Sequence, residues 1–394
     1  MAKRTIADID VSGRRVFLRV DFNVPFDDAG RILDDTRIRA AIPTIRNLMD
    51  RRARVVLASH LGRPKGKVVE DMRLRPVAGR LSELLGIEVS YATDCVGPEA
   101  ENAVAGLSDG QVLLLENLRF YAEEEKNDSS FAHRLASLAD VYVNDAFGTA
   151  HRAHASTEGI THYLPSVAGL LMEKELNALG GLLTSPARPF ICIFGGAKVS
   201  DKIGMIRNML QRVDAVLVGG GLAATFLRAR GLEIGHSLFE ADMVEEARAI
   251  LQESERCGVP VLLPVDVLVA PEVKGGVRPR IVQVTSVPPD YSIVDIGPRT
   301  VECFFGRMES SRTVMWNGPM GVYEIPQFSL GTKNLINYLA SIPVTSVIGG
   351  GSSVDAVQDM GVGDLVSHVS TGGGATLELL EKGTLPGVEA LNDR

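Results

Sequence analysis

Short apolar runs alternate with amphipathic stretches along the whole chain, and this alternation limits the fold more than any other feature. The runs at 16–22, 55–59, 112–116 and 141–144 are rich in Val and Leu at successive positions, as are those at 189–194, 215–218, 261–263, 313–316 and 345–348. A strand that is apolar on both faces must be covered on both faces, which a parallel sheet layered between helices provides. Helices are expected between the runs, for instance over 35–52 and 75–85. Asp34, Asp35 and Thr36 supply N-cap chemistry and acidic groups at the positive end of the first helix. The 394 residues exceed what a single core supports. The sequence therefore predicts an α/β protein of two doubly wound, Rossmann-like parallel-sheet domains.

The boundary is expected around 164–183, where Pro165-Ser166 starts a long helix and Gly180-Gly181, then Ser185-Pro186, end it. Such a helix either joins two lobes as a hinge or is an internal helix of one larger domain. The division expected is 1–168, a joining helix at 169–184, a second domain at 185–380, and a tail at 381–394 that returns to the first domain.

Composition removes several classes. Forty-one Lys and Arg against 49 Asp and Glu give a net charge of −8, with no bulk cationic surface for nucleic acid or anionic lipid. No apolar run approaches the roughly eighteen residues of a membrane span, and the start, MAKRTIADIDVSG, has no apolar segment of the secretory kind. Cys95, Cys192, Cys257 and Cys303 lie far apart without a CxxC pair, which argues against a zinc ribbon or a disulfide framework. A cytoplasmic enzyme is expected, monomeric because nothing demands a partner. Glu123-Glu124-Glu125 reads as a solvated loop, Cys192 as core, and Trp316 as a ring packed on its domain core.

In doubly wound sheets, ligands bind beyond the carboxyl ends of the strands. In the first half those positions hold Asp21, Asn23, His60, Arg63, Arg119 and the polar loop 144–152 with Arg152, while Arg37 opens the first helix. Arginines and a histidine converging there would suit a small, highly charged anion, because a guanidinium grips phosphate or carboxylate with two parallel hydrogen bonds. In the second half the strand ends carry glycine: Gly195-Gly196, Gly219-Gly220-Gly221, Gly349-Gly350-Gly351 and Gly372-Gly373-Gly374. Glycine admits close backbone approach, and helix N-termini attract phosphate. Lys198 and Lys202 add positive charge beside them. Neither a P-loop nor the protein-kinase signatures occur. A GxGxxA match does occur at Gly219, Gly221 and Ala224, but Glu240, some twenty residues on, falls in a helical stretch instead of following a strand.

Seven motifs carry a family likeness: RVDFNVP at 19–25, SHLGRP at 59–64, ENLRF at 116–120, NDAFGTAHRAHAS at 144–156, GGAKVSDK at 195–202, WNGPMGVYE at 316–324 and STGGGATLELL at 370–380. In order and over essentially the whole chain, the sequence resembles the phosphoglycerate kinase family. The resemblance implies two domains and phosphoryl transfer between 1,3-bisphosphoglycerate/ADP and 3-phosphoglycerate/ATP, with Mg²⁺ accompanying the nucleotide. It implies that Asp21 and Asn23 hold the hydroxyl and carboxylate end of 3-phosphoglycerate. His60, Arg63, Arg119 and Arg152 would bind its 3-phosphate, and Arg37 would face the reacting carboxyl. Lys198 with the backbone at Gly373 and Gly374 would support the transferring group. Lys202, Asn317, Gly350, Gly351, Ser352 and Ser353 would serve the nucleotide phosphates, Glu324 the ribose, and Gly196, Gly219 and Gly220 the adenine. One departure stands out: the family often has Asp where this chain has Ser352, and a hydroxyl is a poorer Mg²⁺ ligand than a carboxylate.

The chemistry fits the residues. A carboxylate acceptor is already ionised at neutral pH, so no general base is needed, and the sequence shows no evident His–Asp or Ser–His catalytic pair. Other readings stay open at this level. The chain could be an inactive nucleotide- and anion-binding protein of the same fold, although retention of Arg37, Lys198 and Lys202 argues against decay. It could be an NAD(P)-dependent oxidoreductase on the strength of GxGxxA, or a zinc hydrolase on His151 and His154, which read better as hydrogen-bonding loop residues.

Overall fold

The Val- and Leu-rich runs fold as strands buried along nearly their whole length. A computed structural model describes residues 2–394, which divide into two compact units. The first comprises residues up to Asn177 together with Thr384–Arg394, and the second comprises Ala178–Gly383, so the division falls inside the helix Leu170–Thr184.

In the first unit, six strands form one parallel sheet. They are β1 (Arg15–Arg19), β2 (Arg54–Ala58), β3 (Val89–Tyr91), β4 (Val112–Leu114), β5 (Val141–Asn144) and β6 (Ser166–Ala168), in the order β3-β4-β2-β1-β5-β6. Its core gathers Val16, Leu18, Ile38, Ile45, Val55 and Val143 between sheet and helices. The segment Thr384–Arg394 is stitched to this unit: Asn144 Nδ2 donates to the Gly387 carbonyl (3.1 Å), and the Gly387 amide donates to the Ala150 carbonyl (2.8 Å).

The second unit holds another six-stranded parallel sheet, built from β7 (Phe190–Phe194), β8 (Ala215–Val218), β9 (Val261–Leu262), β13 (Thr313–Asn317), β14 (Thr345–Gly349) and β15 (His368–Val369) in the order β15-β14-β13-β7-β8-β9. Trp316 is fully buried in its core with Ile193, Leu217 and Ile348, and the indole Nε1 donates to the Gly318 carbonyl at 2.7 Å, which satisfies its polar edge. Cys192 is likewise buried. A small antiparallel sheet accompanies it, made of β10 (Asp266–Ala270), β11 (Arg280–Gln283) and β12 (Ser292–Ile296) in the order β11-β10-β12. The sequence pattern does not announce this sheet, because β11 is exposed along most of its length and lacks a buried-strand signature.

Two local expectations are corrected. The long helix does not start at Pro165-Ser166: Ser166–Ala168 is a strand paired with β5, and the helix runs Leu170–Thr184, through Gly180 and Gly181. Its start is set by Asp145, whose carboxylate accepts from the Leu171 (2.9 Å) and Met172 (3.1 Å) amides. A Cβ on Gly169 would lie 2.2 Å from that carboxylate, so glycine is required there. Nor is Glu123-Glu124-Glu125 a solvated loop. Ala122–Glu125 is one helical turn, and Glu124 is fully buried.

No helix among the described residues is long and apolar enough to cross a membrane. The glycines fall into contrasting classes, which makes a test. Gly318 has φ +93°, and a Cβ there would sit 2.3 Å from the Gly195 carbonyl oxygen, whereas Gly306, inside the helix Pro298–Glu309, would meet nothing within 4 Å. Gly318→Ala is expected to destabilise by roughly 1–3 kcal/mol, and Gly306→Ala to stabilise by up to about 1 kcal/mol. Denaturant unfolding of the two variants checks both signs.

Candidate active site

At the carboxyl edge of the first sheet, the loops after β1, β2 and β4 are sewn together by amides. Asn23 Oδ1 accepts from the Gly62 amide (2.8 Å), Asn117 Oδ1 from the Leu61 and Arg119 amides (both 3.1 Å), and Asn117 Nδ2 donates to the Leu61 carbonyl (2.8 Å). Arg119 is buried and its Nη1 reaches the Gly62 carbonyl at 2.8 Å, with Nε 3.2 Å from Glu125. Arg37 and Asp21 form an ion pair at 2.9 Å, and Arg152 Nε donates to His151 Nε2 at 3.1 Å. Arg63 is exposed on the His60 loop.

His60 is buried, with Arg19 Nη2 3.3 Å from its Nδ1. Burial, then the charges of Arg19, Arg119, Arg152 and Arg37, hold its imidazole well below the usual histidine range. His154 is pushed down to about 3 by burial first and then by Arg19 and Arg119. Burial also lowers Arg119, helped by Arg152 and Arg19, against the opposing pull of Glu125. The result is a compact, strongly cationic patch on a rigid sheet edge. A separate opening in the same unit, about 620 Å³ between Asp35, Arg39 and Arg80, is lined by charges already paired with one another: Asp35 lies 2.8 Å from Arg39 and 2.7 Å from Arg80. It offers no comparable excess charge.

In the second unit a cleft of about 430 Å³ opens at the carboxyl ends of the strands, lined by Gly196, Ala197, Gly220, Gly221, Leu238, Val322, Glu324 and Ser352 among others. Three helices begin near it with glycine N-caps and no side-chain cap: Gly220–Ala229 after Gly219, Gly351–Asp359 after Gly350, and Gly374–Lys382 after Gly373. A Cβ on Gly351, Gly373 or Gly374 would meet nothing within 4 Å, so backbone there is open to approach. Gly219 and Gly220 differ. A Cβ would lie 2.5 Å from Met320 Sδ at the first and 2.7 Å from the Gly196 amide and the Pro319 carbonyl oxygen at the second. Close packing against neighbouring backbone, independent of any ligand, already requires glycine at Gly220, whereas at Gly219 the neighbour is a methionine side chain.

Lys202 is buried and its ammonium donates to the Asn317 side-chain oxygen. Burial pushes Lys202 down to about 8, although Asp201 opposes the shift. The other end of the Asn317 amide, Nδ2, is a buried donor without a partner in the protein, and a Cβ on Gly350 would lie 3.1 Å from it. Lys198 is exposed on a loop gripped by Glu240, which accepts from the Val199 amide, the Ser200 amide (3.0 Å) and the Ser200 hydroxyl (2.5 Å).

A family model described as phosphoglycerate kinase matches residues 6–383. The phosphoglycerate kinases of Moorella thermoacetica and Pelotomaculum thermopropionicum are 55% and 56% identical over 394 residues, covering all of this chain and all of theirs. Among solved structures, phosphoglycerate kinase from Coxiella burnetii superposes with a TM-score of 0.91 at 38% identity, and that from Pyrococcus horikoshii with 0.86 at 36%, each covering 98% of both chains. The chain belongs to the phosphoglycerate kinase family. It is a glycolytic phosphotransferase, which sets aside the oxidoreductase and inactive-protein readings of its sequence.

Two positions make bracing contacts in the protein, and one residue joins the expected set. Ser353, expected on the nucleotide, has its hydroxyl buried and accepting from the Gly318 amide at 2.8 Å, so it braces the 316–319 turn. Glu240 lies in extended backbone just before the short turn Ala241–Met243 instead of within a helix, and its role is the clamp on the Lys198 loop. Arg19, absent from the expected set, is buried at the last position of β1 beneath His60. A lone arginine ending a buried strand was its signal.

Among the described residues no group of three or more His, Cys, Asp and Glu is placed to hold a metal ion, which leaves the zinc-hydrolase reading without a site. For the Mg²⁺ that the resemblance implies, no such group is present among the described residues, and Ser352, half-buried at the start of its helix, would offer a single neutral oxygen.

Lys202 yields a pH test. Its folded value lies below the ordinary lysine value, so between about 8 and that value the unfolded chain holds a proton that the folded chain has shed, and stability rises with pH. Lys202→Met is expected to lose this increment. Urea unfolding of both proteins across the window, read as the difference between them, measures it.

Proposed function

We propose that the first unit takes 3-phosphoglycerate and the second takes MgATP, and that phosphoryl passes reversibly and in line between the nucleotide and the substrate carboxylate. The observation that carries this reading is the cationic patch around His60, in which Arg37, Arg119 and Arg152 lie near one buried imidazole. A phosphate dianion relieves the repulsion that such crowding creates. In this reading His60, Arg63, Arg119 and Arg152 bind the 3-phosphate, Asp21 and Asn23 orient the hydroxyl and carboxylate end, and Arg37 faces the reacting carboxyl. Adenine enters the cleft beside Gly196, Gly219 and Gly220, with the ribose on Glu324. The phosphates meet the uncapped helix starts at Gly350–Gly351 and Gly373–Gly374, the orphan donor of Asn317, Lys202 and Ser352. Lys198 supports the moving group.

No proton has to be removed from a carboxylate at neutral pH. The work is positioning two anions and neutralising developing charge. We infer that the units close for transfer, bringing Arg37 and Lys198 to the phosphoryl group and excluding water that would hydrolyse the acyl phosphate. The same reading makes the enzyme a cytoplasmic monomer acting on small molecules and engaging neither membrane nor nucleic acid.

Coupling the reverse reaction to glyceraldehyde-3-phosphate dehydrogenase and following NADH tests the roles. Arg37→Ala is expected to lower kcat on the order of a hundredfold or more while changing the KM for 3-phosphoglycerate much less. Arg63→Ala and Arg119→Ala are expected mainly to raise that KM, by about tenfold or more. Equal losses in both parameters in all three variants would refute the assignment. Because Ser352 offers the ion no charge, Ser352→Asp should lower the Mg²⁺ concentration that gives half-maximal turnover. An unchanged Mg²⁺ dependence would count against placing the ion there.

A further inference from the structure

Beneath the patch lies a row of buried polar groups that the family reading does not use. Arg19 is 1% exposed, and Ser156 and Glu124 are fully buried. Arg19 Nε donates to Ser156 Oγ at 2.8 Å, and Ser156 Oγ donates to Glu124 Oε1 at 2.5 Å. The Ser156 amide donates to Glu124 Oε2 at 3.0 Å, and Arg19 Nη1 donates to the Val20 carbonyl. With these contacts the guanidinium has one orientation. Its remaining fork points Nη2 at His60 Nδ1, 3.3 Å away.

We propose that Arg19, held by Ser156 and Glu124, is a positioning residue that fixes His60 as the neutral imidazole with its proton on Nε2, so that His60 presents one aimed N–H donor to the anionic substrate. A guanidinium has donors only, so in this contact Nδ1 accepts. A neutral ring that accepts through Nδ1 carries its hydrogen on Nε2. The charged groups facing the ring are Arg19, Arg37, Arg119 and Arg152, and each opposes a second proton. Burying an arginine so deeply is costly without a counter-charge, and Glu124 supplies that charge one hydroxyl away. The desolvated carboxyl is itself raised by burial, with Arg19 and the Ser156 hydrogen bonds drawing it back towards ionisation. The function assigned to the relay rests on the proposed placement of the 3-phosphate at His60.

Nitrogen-15 imidazole spectra of the full-length protein, assigned by comparison with His60→Gln, read the tautomer directly. The expected His60 signals show hydrogen on Nε2 and none on Nδ1, alike at about pH 6 and about pH 8, on either side of the ordinary histidine value. Ser156→Ala keeps both Arg19 and Glu124 but cuts the link. It should give a mixture of tautomers and raise the KM for 3-phosphoglycerate by roughly tenfold, the scale of one aimed hydrogen bond, with kcat little changed. Should Ser156→Ala not fold, Arg19→Met combined with Glu124→Gln removes the relay without leaving a buried charge unpaired, and it is read in the same way. A wild-type ring carrying hydrogen on Nδ1, or on both nitrogens near neutral pH, overturns the proposal. So does an unchanged tautomer in a folded relay variant. A tautomer that shifts while the KM stays constant upholds the relay and counts instead against the placement of the 3-phosphate.

Discussion

Parallel pairing governs where chemistry can reside in each unit. In both six-stranded sheets the strands run the same way, and their apolar side chains occupy both faces. Polar groups are thereby displaced to the strand ends, and the carboxyl ends share one edge. Arg19 ends β1, Asn144 ends β5, Asn317 ends β13 and Gly349 ends β14. The strand order also reverses direction between β1 and β5 and between β7 and β13, which parts the following loops and leaves room beside those residues.

At the first of these edges burial is the largest influence on the ionisable groups, and repulsion among cations held close in a low-dielectric setting adds to it. Arg19, Arg119 and Arg152 depress both His60 and His154, and Arg152 and Arg19 depress Arg119 in turn. Such an arrangement persists because hydrogen bonds to fixed acceptors hold each guanidinium, as with Arg19 on Ser156 and Arg119 on the Gly62 carbonyl. The second edge achieves a gentler positive field by other means. It combines uncapped helix starts, one desolvated lysine and one amide donor, which suits a longer ligand whose phosphates lie in sequence along backbone.

Much of this was legible in the residues themselves. A Val-Phe-Leu run must be covered on both faces whichever neighbours it finds, so the class of fold follows from composition and spacing. Arginine, histidine and glycine just beyond such runs announce anion chemistry, because few other side chains make those contacts. The start of the Leu170–Thr184 helix was not legible. It depends on Asp145 capping amides 26 and 27 residues away in the chain. The burial of Glu124 was not legible either, since a run of three glutamates has the composition of a solvated loop until Ser156 and Arg19 are folded against its middle member.

Local periodicity and side-chain type thus determined the α/β architecture and which polar residues fall at the strand ends. Tertiary structure alone decided which contacts those groups make within the protein. Ser353 supports a turn, Gly220 avoids a clash between loop backbones, and Glu240 clamps the Lys198 loop. Arg19 lies buried between His60 and Ser156. Each of these roles is a contact between segments distant in the chain, and the identity of a residue does not reveal which partner folding will bring within hydrogen-bond range.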